Sequence, residues 1–320
     1  MIDALLWLPA ALLCALAVVR LAGLERGTPL VQLTAFTPYW AAGAVAVAVA
    51  SAAGGYRGPA LAAGVAAIAL AGAVAGRTIP ATLDPAPCGS RLRVLSANLL
   101  YRLGDAPSVL AHVKSDDVDL LAVQELTFEG VAGLDAAGVA GLLPYRVAYP
   151  TDSYTGSALF SRHPLTPGPL RRHACGNMQA TATVSLPDGE AVLVESVHPC
   201  APYPGRTACW ERDLREQQPA TTGGTPLVLL GDFNATLDHM ALRRLLRTGY
   251  RDAAAERGKG LVPTWPFRRI PAPWVTLDHV LVDRRIGVLD FGTRGIRHSD
   301  HRAVYAELSV PAAAPSCMRS

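Results

Sequence analysis

Charged residues are scarce in this chain, and lysine is almost missing. Only 17% of the 320 residues are Asp, Glu, Lys or Arg, lysine occurs only at Lys114 and Lys259, and the net charge is +3. So small a charge argues against a large polyanion-binding surface. Half of the residues are apolar, which excludes an intrinsically disordered chain and is enough for a sizeable buried core.

The scarcity of charge is greatest in the first quarter of the sequence. Residues 1–76 carry only five charged side chains and contain three apolar segments, at 2–19, 39–54 and 59–76. Each segment is close to the length that a helix needs to cross a bilayer at ~1.5 Å per residue. We therefore predict that residues 1–76 form a membrane anchor of three transmembrane helices. A signal-like first helix followed by two spans is the alternative, although the first segment lacks a basic start.

Two signals disagree about the orientation in the membrane. Arg20, Arg26 and Arg77 lie on one side of the predicted spans and Arg57 on the other, so the positive-inside rule places the rest of the chain in the cytoplasm. The cysteines favour the opposite side, because disulfides persist in oxidising compartments, although unrelated buried thiols are the alternative. Two pairings are open to the cysteines that follow the anchor, namely Cys200–Cys209 and Cys88–Cys175. We predict a multi-pass plasma-membrane protein, and neither signal alone decides on which side the large domain lies.

The pattern changes after the anchor. Residues 77–90 contain three prolines and no periodicity, which predicts a tether. A single large domain is predicted for 91–310, followed by a tail at 311–320. Short apolar runs predict strands at 92–98, 118–126, 157–162, 180–186, 191–199, 226–234, 277–283 and 303–310, with a Pro-Asp-Gly hairpin turn at 187–189. Helical patterns occur at 106–114, 210–217 and 239–246.

Polar side chains stand at the ends of several of these predicted strands. They are Asn98, Glu125, His198, Asp232 and Asn234. Each alone has an ordinary explanation as a turn or helix-capping residue. Their repetition at strand ends instead favours a layered α/β enzyme with its site at one edge of the sheets.

The chemistry of these residue types suits phosphoryl transfer. Asn98, Glu125 and Asp300 offer hard oxygen ligands, and so sparse a set suits Mg²⁺, with Mn²⁺ as a substitute. Asp232 can orient or deprotonate an attacking water, with Asn234 as its companion. His198 and His301 can bind the phosphate oxygens where charge accumulates, and Asp278 can hold the ring of His301. A metal, a positioned water and charge stabilisation are what phosphoryl transfer requires.

Seven segments spread over residues 94–304 carry a family resemblance. They are LSANLL, VQEL, YTGSALFSRHPL, VESVHP, LLGDFNATLDH, TLDHVLV and SDHRAV, of which GDFN together with SDH is the specific pair. In these segments the sequence resembles the endonuclease/exonuclease/phosphatase superfamily, the group of DNase I, abasic-site endonucleases and inositol-phosphate phosphatases. The resemblance implies a four-layer α/β sandwich, two packed mixed β-sheets flanked by helices, here preceded by the three transmembrane helices.

The resemblance also implies roles for individual residues. It assigns Asn98, Glu125 and Asp300 to the metal, and His198, Asp232, Asn234, Asp278 and His301 to catalysis. Tyr154, Arg212 and Trp265 fall near substrate-contact positions of the family. His279 departs from the pattern, because it stands where the family usually has a tyrosine.

The substrate is less constrained than the chemistry. The layout resembles membrane-anchored members linked to teicoplanin resistance, which implies a lipid-linked phosphate such as undecaprenyl pyrophosphate and the lipid bilayer as a partner. This resemblance also implies that the large domain is extracytoplasmic. An anchored nuclease is the second hypothesis, because arginines cluster at Arg243, Arg244, Arg247, Arg251, Arg268 and Arg269. Soluble phosphoesters are the third, and a non-catalytic binding module is the last.

Overall fold

Apolar helices form the N-terminal part of the molecule. The computed structural model describes residues 2–82, 89–101, 104–221, 223–267 and 273–311. Its first helices are α1 (Ile2–Ala22), α2 (Leu30–Ala35), α3 (Thr37–Ala53) and α4 (Arg57–Ala75). Helices α1, α3 and α4 pack on one another, and small side chains such as Ala44, Ala63 and Ala66 are buried between them. Small residues let helix backbones approach closely, as in membrane bundles.

Two of these helices are long and apolar enough to cross a membrane. They cover Leu5–Ala22 and Arg57–Thr78, whereas α3 is apolar but shorter. The 17 residues of α3 span about 25 Å at ~1.5 Å per residue, against ~30 Å for the hydrocarbon core of a bilayer. The prediction of three spans is thus supported for two segments, and the third forms a helix that falls short of this length.

Strands and shorter helices make up the large domain. The strands are β1 (Ser90–Asn98), β2 (Leu120–Gln124), β3 (Tyr145–Tyr149), β4 (Ser157–Ser161), β5 (Leu165–Pro167), β6 (Arg171–Arg172), β7 (Met178–Gln179), β8 (Thr181–Ser185), β9 (Ala191–Val197), β10 (Leu227–Asp232), β11 (Tyr250–Asp252), β12 (Asp278–Asp283), β13 (Gly287–Gly295) and β14 (Arg302–Val310). The helices are α5 (Ala106–Ser115), α6 (Phe128–Ala136), α7 (Val139–Leu142), α8 (Thr207–Arg215), α9 (Met240–Arg247) and α10 (Ala253–Glu256).

The strands form two mixed six-stranded sheets. One has the order β13-β14-β1-β2-β4-β3 and the other β11-β12-β10-β9-β8-β5, while β6 and β7 form a separate ribbon. Each sheet contains one parallel pair, β1 with β2 and β9 with β10, among antiparallel neighbours. The predicted hairpin at 187–189 is confirmed as the β8–β9 connection.

Apolar layers hold the two sheets and their helices together. Side chains such as Leu120, Leu159, Val194 and Leu230 are fully buried between the sheets. A second cluster lies between the first sheet and α5 to α7, and a third lies under α8 and α9. The order helix, sheet, sheet, helix is the predicted α/β sandwich, and burial of these alternating apolar faces drives its assembly.

Buried ion pairs join the N-terminal helices to the large domain. Asp238 accepts hydrogen bonds from Arg20 Nε at 2.8 Å and from Arg77 Nη2 at 2.7 Å, and all three side chains are over 90% buried. Residues 77–82 do not form the free tether expected from their prolines, because Ala81 N–H also donates to Glu256 O at 2.9 Å. Residues 83–88 of the predicted tether and 312–320 of the tail lie outside the described residues.

The cysteine pairing is neither of the two that the sequence left open. Cys175, between β6 and β7, forms a disulfide with Cys209 on α8. Cys200 is a free buried thiol, so it is not joined to Cys209, and Cys175 is not available to Cys88, which lies outside the described residues. The sulfurs of Cys175, Cys200 and Cys209 all lie within 4.8 Å of one another, so spacing along the chain could not distinguish the pairs.

Candidate active site

The strand-end residues singled out in the sequence converge at one edge of the sandwich. Asn98 ends β1 beside Gln124 of the parallel strand β2, so Glu125 follows directly. In the other sheet Gly231 lies beside Val197, which brings His198 next to Asp232. The carboxyl ends of both parallel pairs therefore meet, and the register also places Asp278 of β12 opposite Asp232.

The backbone is strained where it presents two of these side chains. Glu125 has a φ of 57° and Asn234 a φ of 49°, the left-handed region that residues with a side chain rarely adopt. Gly231 has a φ of 156°, and a Cβ there would meet Val197 O at 2.0 Å. Such conformations cost free energy and persist where surrounding structure enforces them, typically at functional sites.

Asn98 bridges two of the carboxylates. Its Nδ2 donates to Glu125 Oε1 and to Asp232 Oδ2, both at 3.1 Å, while its Oδ1 accepts from the Leu100 N–H at 2.9 Å. Asn98 Oδ1 keeps a second lone pair beside this backbone hydrogen bond, so the role of Asn98 as an oxygen ligand of the metal stays a prediction. The amide nitrogen of Asn98 holds the two carboxylates at a fixed separation.

His301 carries positive charge at the centre of the cluster. Its Nδ1 lies 2.9 Å from Asp278 Oδ2, and its Nε2 lies 3.6 Å from Asp232 Oδ2. Burial lowers the pKa of His301, but the carboxylates of Asp278 and Asp232 outweigh it and raise this pKa to about 10. Burial has the opposite effect on the carboxyl of Asp232 and raises its pKa. Of His301 and Asp232, we place the proton on the His301 imidazole, because Asp278 accepts a hydrogen bond directly from its Nδ1.

His198 is the neutral histidine of the cluster. Burial lowers its pKa, against the charge of Asp232. The Asn177 amide Nδ2 lies 3.4 Å from His198 Nδ1, and with this amide as donor the ring carries its proton on Nε2. That nitrogen faces Glu125 Oε1 at 3.8 Å and Asp232 Oδ2 at 3.9 Å. Asn177 was not predicted from the sequence.

The acidic side chains fit a divalent cation. Four carboxylates, those of Glu125, Asp232, Asp278 and Asp300, face one protonated histidine, which leaves an excess of buried negative charge. Asp300 Oδ1 is buried and has no hydrogen-bond partner among the described residues, while Asp300 Oδ2 accepts from Trp265 Nε1 at 3.2 Å. Glu125 and Asp300, the carboxylates predicted to ligate the metal, both line the cavity and offer the oxygens that a hard cation prefers. Ligand atoms of Asp232, Asp278 and His301 lie within 4.8 Å of one another beside them.

Cation binding is expected to depend on pH through Glu125. Burial raises the pKa of Glu125 to about 7, against the hydrogen bond from Asn98. A proton must therefore leave when a cation binds at lower pH. We expect Mg²⁺ affinity measured by calorimetry to fall about tenfold from pH 8 to pH 6, and about tenfold again by pH 5. Glu125→Gln is the control, which should bind more weakly and lose this pH dependence. Equal affinities of the native protein at pH 8 and pH 6 would contradict this role.

A cavity of about 580 Å³ opens onto the cluster. Two predicted substrate residues, Tyr154 and Trp265, line it. Arg212 does not: it is exposed on α8, with Nη2 3.7 Å from Cys175 Sγ, because this helix turns Trp210 and Leu214 inward. The cavity cation is instead Arg206, whose Nη1 donates to the Tyr154 hydroxyl at 3.1 Å.

His279, the departure from the family pattern, has a structural role. It is fully buried, with Nδ1 2.8 Å from Asp252 Oδ2 and Nε2 2.9 Å from Ala235 O, and its ring packs edge-on against Phe233. Both ring nitrogens therefore have partners. An imidazole here supports the loop that follows β10 without entering the cluster.

Solved structures share this fold. An endonuclease/exonuclease/phosphatase from Beutenbergia cavernae is similar with 18% sequence identity and a TM-score of 0.56, over 70% of this chain and 72% of that chain. A humanised TDP2 from D. rerio has 14% identity and a TM-score of 0.57, over 69% and 99%. A truncated TDP2 from Caenorhabditis elegans has 15% identity and a TM-score of 0.52, over 69% and 98%. At these identities the likeness concerns the fold alone. No curated protein matches this chain.

The family assignment comes from the sequence of the large domain. Residues 95–301 match the model of the Endonuclease/Exonuclease/phosphatase family. This range begins before Asn98 and ends at His301, so it contains the whole cluster, and it leaves the N-terminal helices unmatched. The chain therefore belongs to the endonuclease/exonuclease/phosphatase family, whose members are metal-dependent hydrolases that act on phosphoester bonds.

Proposed function

We propose that this chain is a membrane-anchored, Mg²⁺-dependent phosphohydrolase whose substrate is a lipid-linked phosphate such as undecaprenyl pyrophosphate. One observation carries the proposal: Asp238 lies in the loop that follows Asp232 and Asn234, and it binds Arg20 and Arg77 of the apolar helices. The phosphate site is thereby fixed beside the part of the molecule that would lie in a bilayer. A substrate confined to the same membrane then meets the site at a raised effective concentration.

The residues of the cluster divide the work of hydrolysis. Asp232 orients the attacking water and accepts its proton, and the Asn234 N–H holds Asp232 Oδ1 at 2.8 Å. Protonated His301 and the Nε2–H of His198 stabilise charge on the non-bridging oxygens. Asp278 keeps the His301 ring in place. A divalent cation held by Glu125 and Asp300 supplies Lewis-acid polarisation of the phosphate when bound.

Exposed apolar surface supports the membrane anchor. Only 28% of Leu5–Ala22 and 33% of Arg57–Thr78 is buried within the molecule, unlike the core helices of a soluble protein. Side chains such as Leu8, Leu61 and Ile68 are more than 70% exposed. So large an apolar surface is unfavourable in water, and contact with the hydrocarbon of a bilayer would remove it from water.

The disulfide supports an extracytoplasmic large domain. Cys175–Cys209 suits an oxidising compartment. Of the three arginines that favour a cytoplasmic domain, Arg20 and Arg77 bind Asp238, so the fold itself gives a reason for their position. The positions of these arginines are therefore weaker evidence for a cytoplasmic large domain.

Cysteine labelling in intact cells tests this orientation. Ala137→Cys lies on the exposed end of α6, and Ala53→Cys at the end of α3 far from the large domain. A membrane-impermeant maleimide should label the first variant in intact cells and the second only after lysis. The reverse pattern would place the large domain in the cytoplasm.

The nuclease hypothesis finds less support in the arginine cluster. Arg243 Nη2 donates to Arg20 O, and Arg251 Nη1 binds Glu256 at 2.8 Å, so neither is free to follow a nucleic-acid backbone. Among the described residues that line the cavity, Arg206 is the one arginine or lysine. Arg268 and Arg269 lie outside the described residues.

A substrate screen tests the proposed function. The full chain in nanodiscs is assayed with Mg²⁺ for phosphate release from undecaprenyl pyrophosphate, a nucleotide, an inositol phosphate and a sugar phosphate, and for plasmid nicking. The lipid should be hydrolysed fastest, and His301→Ala should abolish that activity. Plasmid nicking without lipid hydrolysis would support the nuclease instead, and preference for a soluble ester would overturn the lipid assignment.

A further inference from the structure

One wall of the catalytic cavity comes from the N-terminal helices. Val31 and Ala35 of α2, with Phe36 directly after it, line the same cavity as Asp232 and His301. Val275 and Leu277 before β12 also line it, so apolar side chains face the cavity from two separate parts of the chain. Since the family model begins at residue 95, the α2 wall is an addition of this chain to the family's domain.

The large domain holds α2 firmly in this position. Val31 packs in one apolar cluster with Trp210 and Phe233, and its carbonyl lies 2.9 Å from His239 Nε2. Gln32 Nε2 donates to Pro202 O, and both residues also line the cavity. A helix of six residues is marginal alone, so these contacts with the large domain maintain it. The wall is therefore a fixed part of the site.

The α2 wall leads from the phosphate cluster to the surface of the apolar bundle. Phe36 joins α2 to α3, and Tyr39 at the start of α3 accepts from the Trp274 N–H at 3.0 Å. Both Tyr39 and Trp274 are more than 40% exposed, as aromatic side chains at a membrane interface are. Ala35 and Val275 line both the catalytic cavity and a second pocket, which Tyr39 and Trp274 also line. These side chains give an apolar chain on a bound phosphate a route from the cavity towards the surface of the apolar helices.

We infer that α2 and Phe36 form a subsite for the first part of the chain of a polyprenyl phosphate. The inference rests on the proposed function and adds the feature that selects the substrate. A cavity of about 580 Å³ lies within the ~300–1,000 Å³ of small-molecule sites, so it holds the phosphate groups and the nearest isoprene units while the remaining chain stays in the bilayer. A cavity of this volume, which also holds the phosphate groups, suits a single chain better than the two chains of a diacyl lipid.

A chain-length series tests the subsite. Hydrolysis of dimethylallyl, farnesyl and undecaprenyl pyrophosphates and of a diacylglycerol phosphate is compared for the native chain, Ala35→Trp and Val65→Trp. Ala35→Trp places a large side chain in the cavity at the α2 wall. Val65→Trp adds the same side chain to an exposed position on α4. We expect Ala35→Trp to raise KM for the farnesyl and undecaprenyl substrates at least tenfold, and to raise KM less for dimethylallyl pyrophosphate, whose chain contacts the least of the wall. Val65→Trp should change none of them.

A photoreactive farnesyl phosphate gives a second measurement that needs no catalysis. It should label residues 31–36 of the native chain and do so less in Ala35→Trp. Equal losses for all chain lengths, faster hydrolysis of the diacyl lipid, or labelling elsewhere would overturn the subsite. If no lipid phosphate is hydrolysed but a soluble ester is, the proposed function fails, and the labelling still decides whether the subsite binds a chain.

Discussion

Asp232→Asn is expected to lower kcat by about 10³-fold, the middle of the range for losing a positioned proton acceptor. Asn keeps the shape of the side chain and can still accept from the Asn234 N–H, which lies 2.8 Å from Asp232 Oδ1. It cannot take a proton from water at neutral pH, and it removes the negative charge near His301. Steady-state phosphate release with saturating Mg²⁺ measures the effect.

Two comparisons separate this effect from a loss of metal or structure. Asp232→Asn should retain Mg²⁺ binding to within a fewfold, because Glu125 and Asp300 are the proposed ligands, and its melting temperature should not fall. The matched variant is Asp119→Asn, a buried strand-edge carboxylate that accepts from Arg162 Nη1 at 2.9 Å and lies outside the cavity. It should keep kcat. A native kcat in Asp232→Asn would remove Asp232 from the proton-accepting role.

Asp238→Asn is expected to cost about 3–5 kcal/mol of stability, because it leaves two buried arginines without a countercharge. Arg20 and Arg77 are both less than 10% exposed. For a domain of this size such a loss lowers the melting temperature on the order of 10 °C. We expect activity to fall as well, because the loop carrying Asp232 and Asn234 is anchored at this residue. Thermal unfolding and activity in nanodiscs measure the two effects.

An exposed ion pair provides the control for Asp238. Arg91 binds Glu307 at 2.9 Å, with 67% of the arginine side chain exposed, and such surface pairs contribute roughly 0–1 kcal/mol. Glu307→Gln should therefore shift the melting temperature by no more than a few degrees. Equal shifts in the two variants would mean that the Asp238 pairs do not hold the helices to the large domain.

The convergence of the cluster was predictable because its residues stand at the ends of buried strands. A buried run such as the one before Asp232 forms a strand, and its polar end must lie at the edge of the sheet. Once Asn98, Glu125, His198 and Asp232 all followed such runs, their meeting at one edge required only that the sheets pack face to face. Local pattern and global fold agree in these elements.

What the sequence did not predict depends on contacts between distant segments. Arg206 precedes α8 directly and Arg212 lies within it, and the packing of this helix through Trp210 decides which of the two reaches the cavity. The disulfide partner of Cys209 likewise depended on three sulfurs that meet in space. Strand β13 lacked a clear alternating pattern because several of its residues are only partly buried. Each of these outcomes is set by tertiary packing rather than by local propensity.

The ion pairs of Asp238 with Arg20 and Arg77 make the large domain depend on the N-terminal segment. A fragment without the N-terminal segment would lack the arginine partners of Asp238, and its cavity would be open where α2 had been. Loss of the N-terminal segment is therefore expected to abolish hydrolysis rather than to release an active soluble domain.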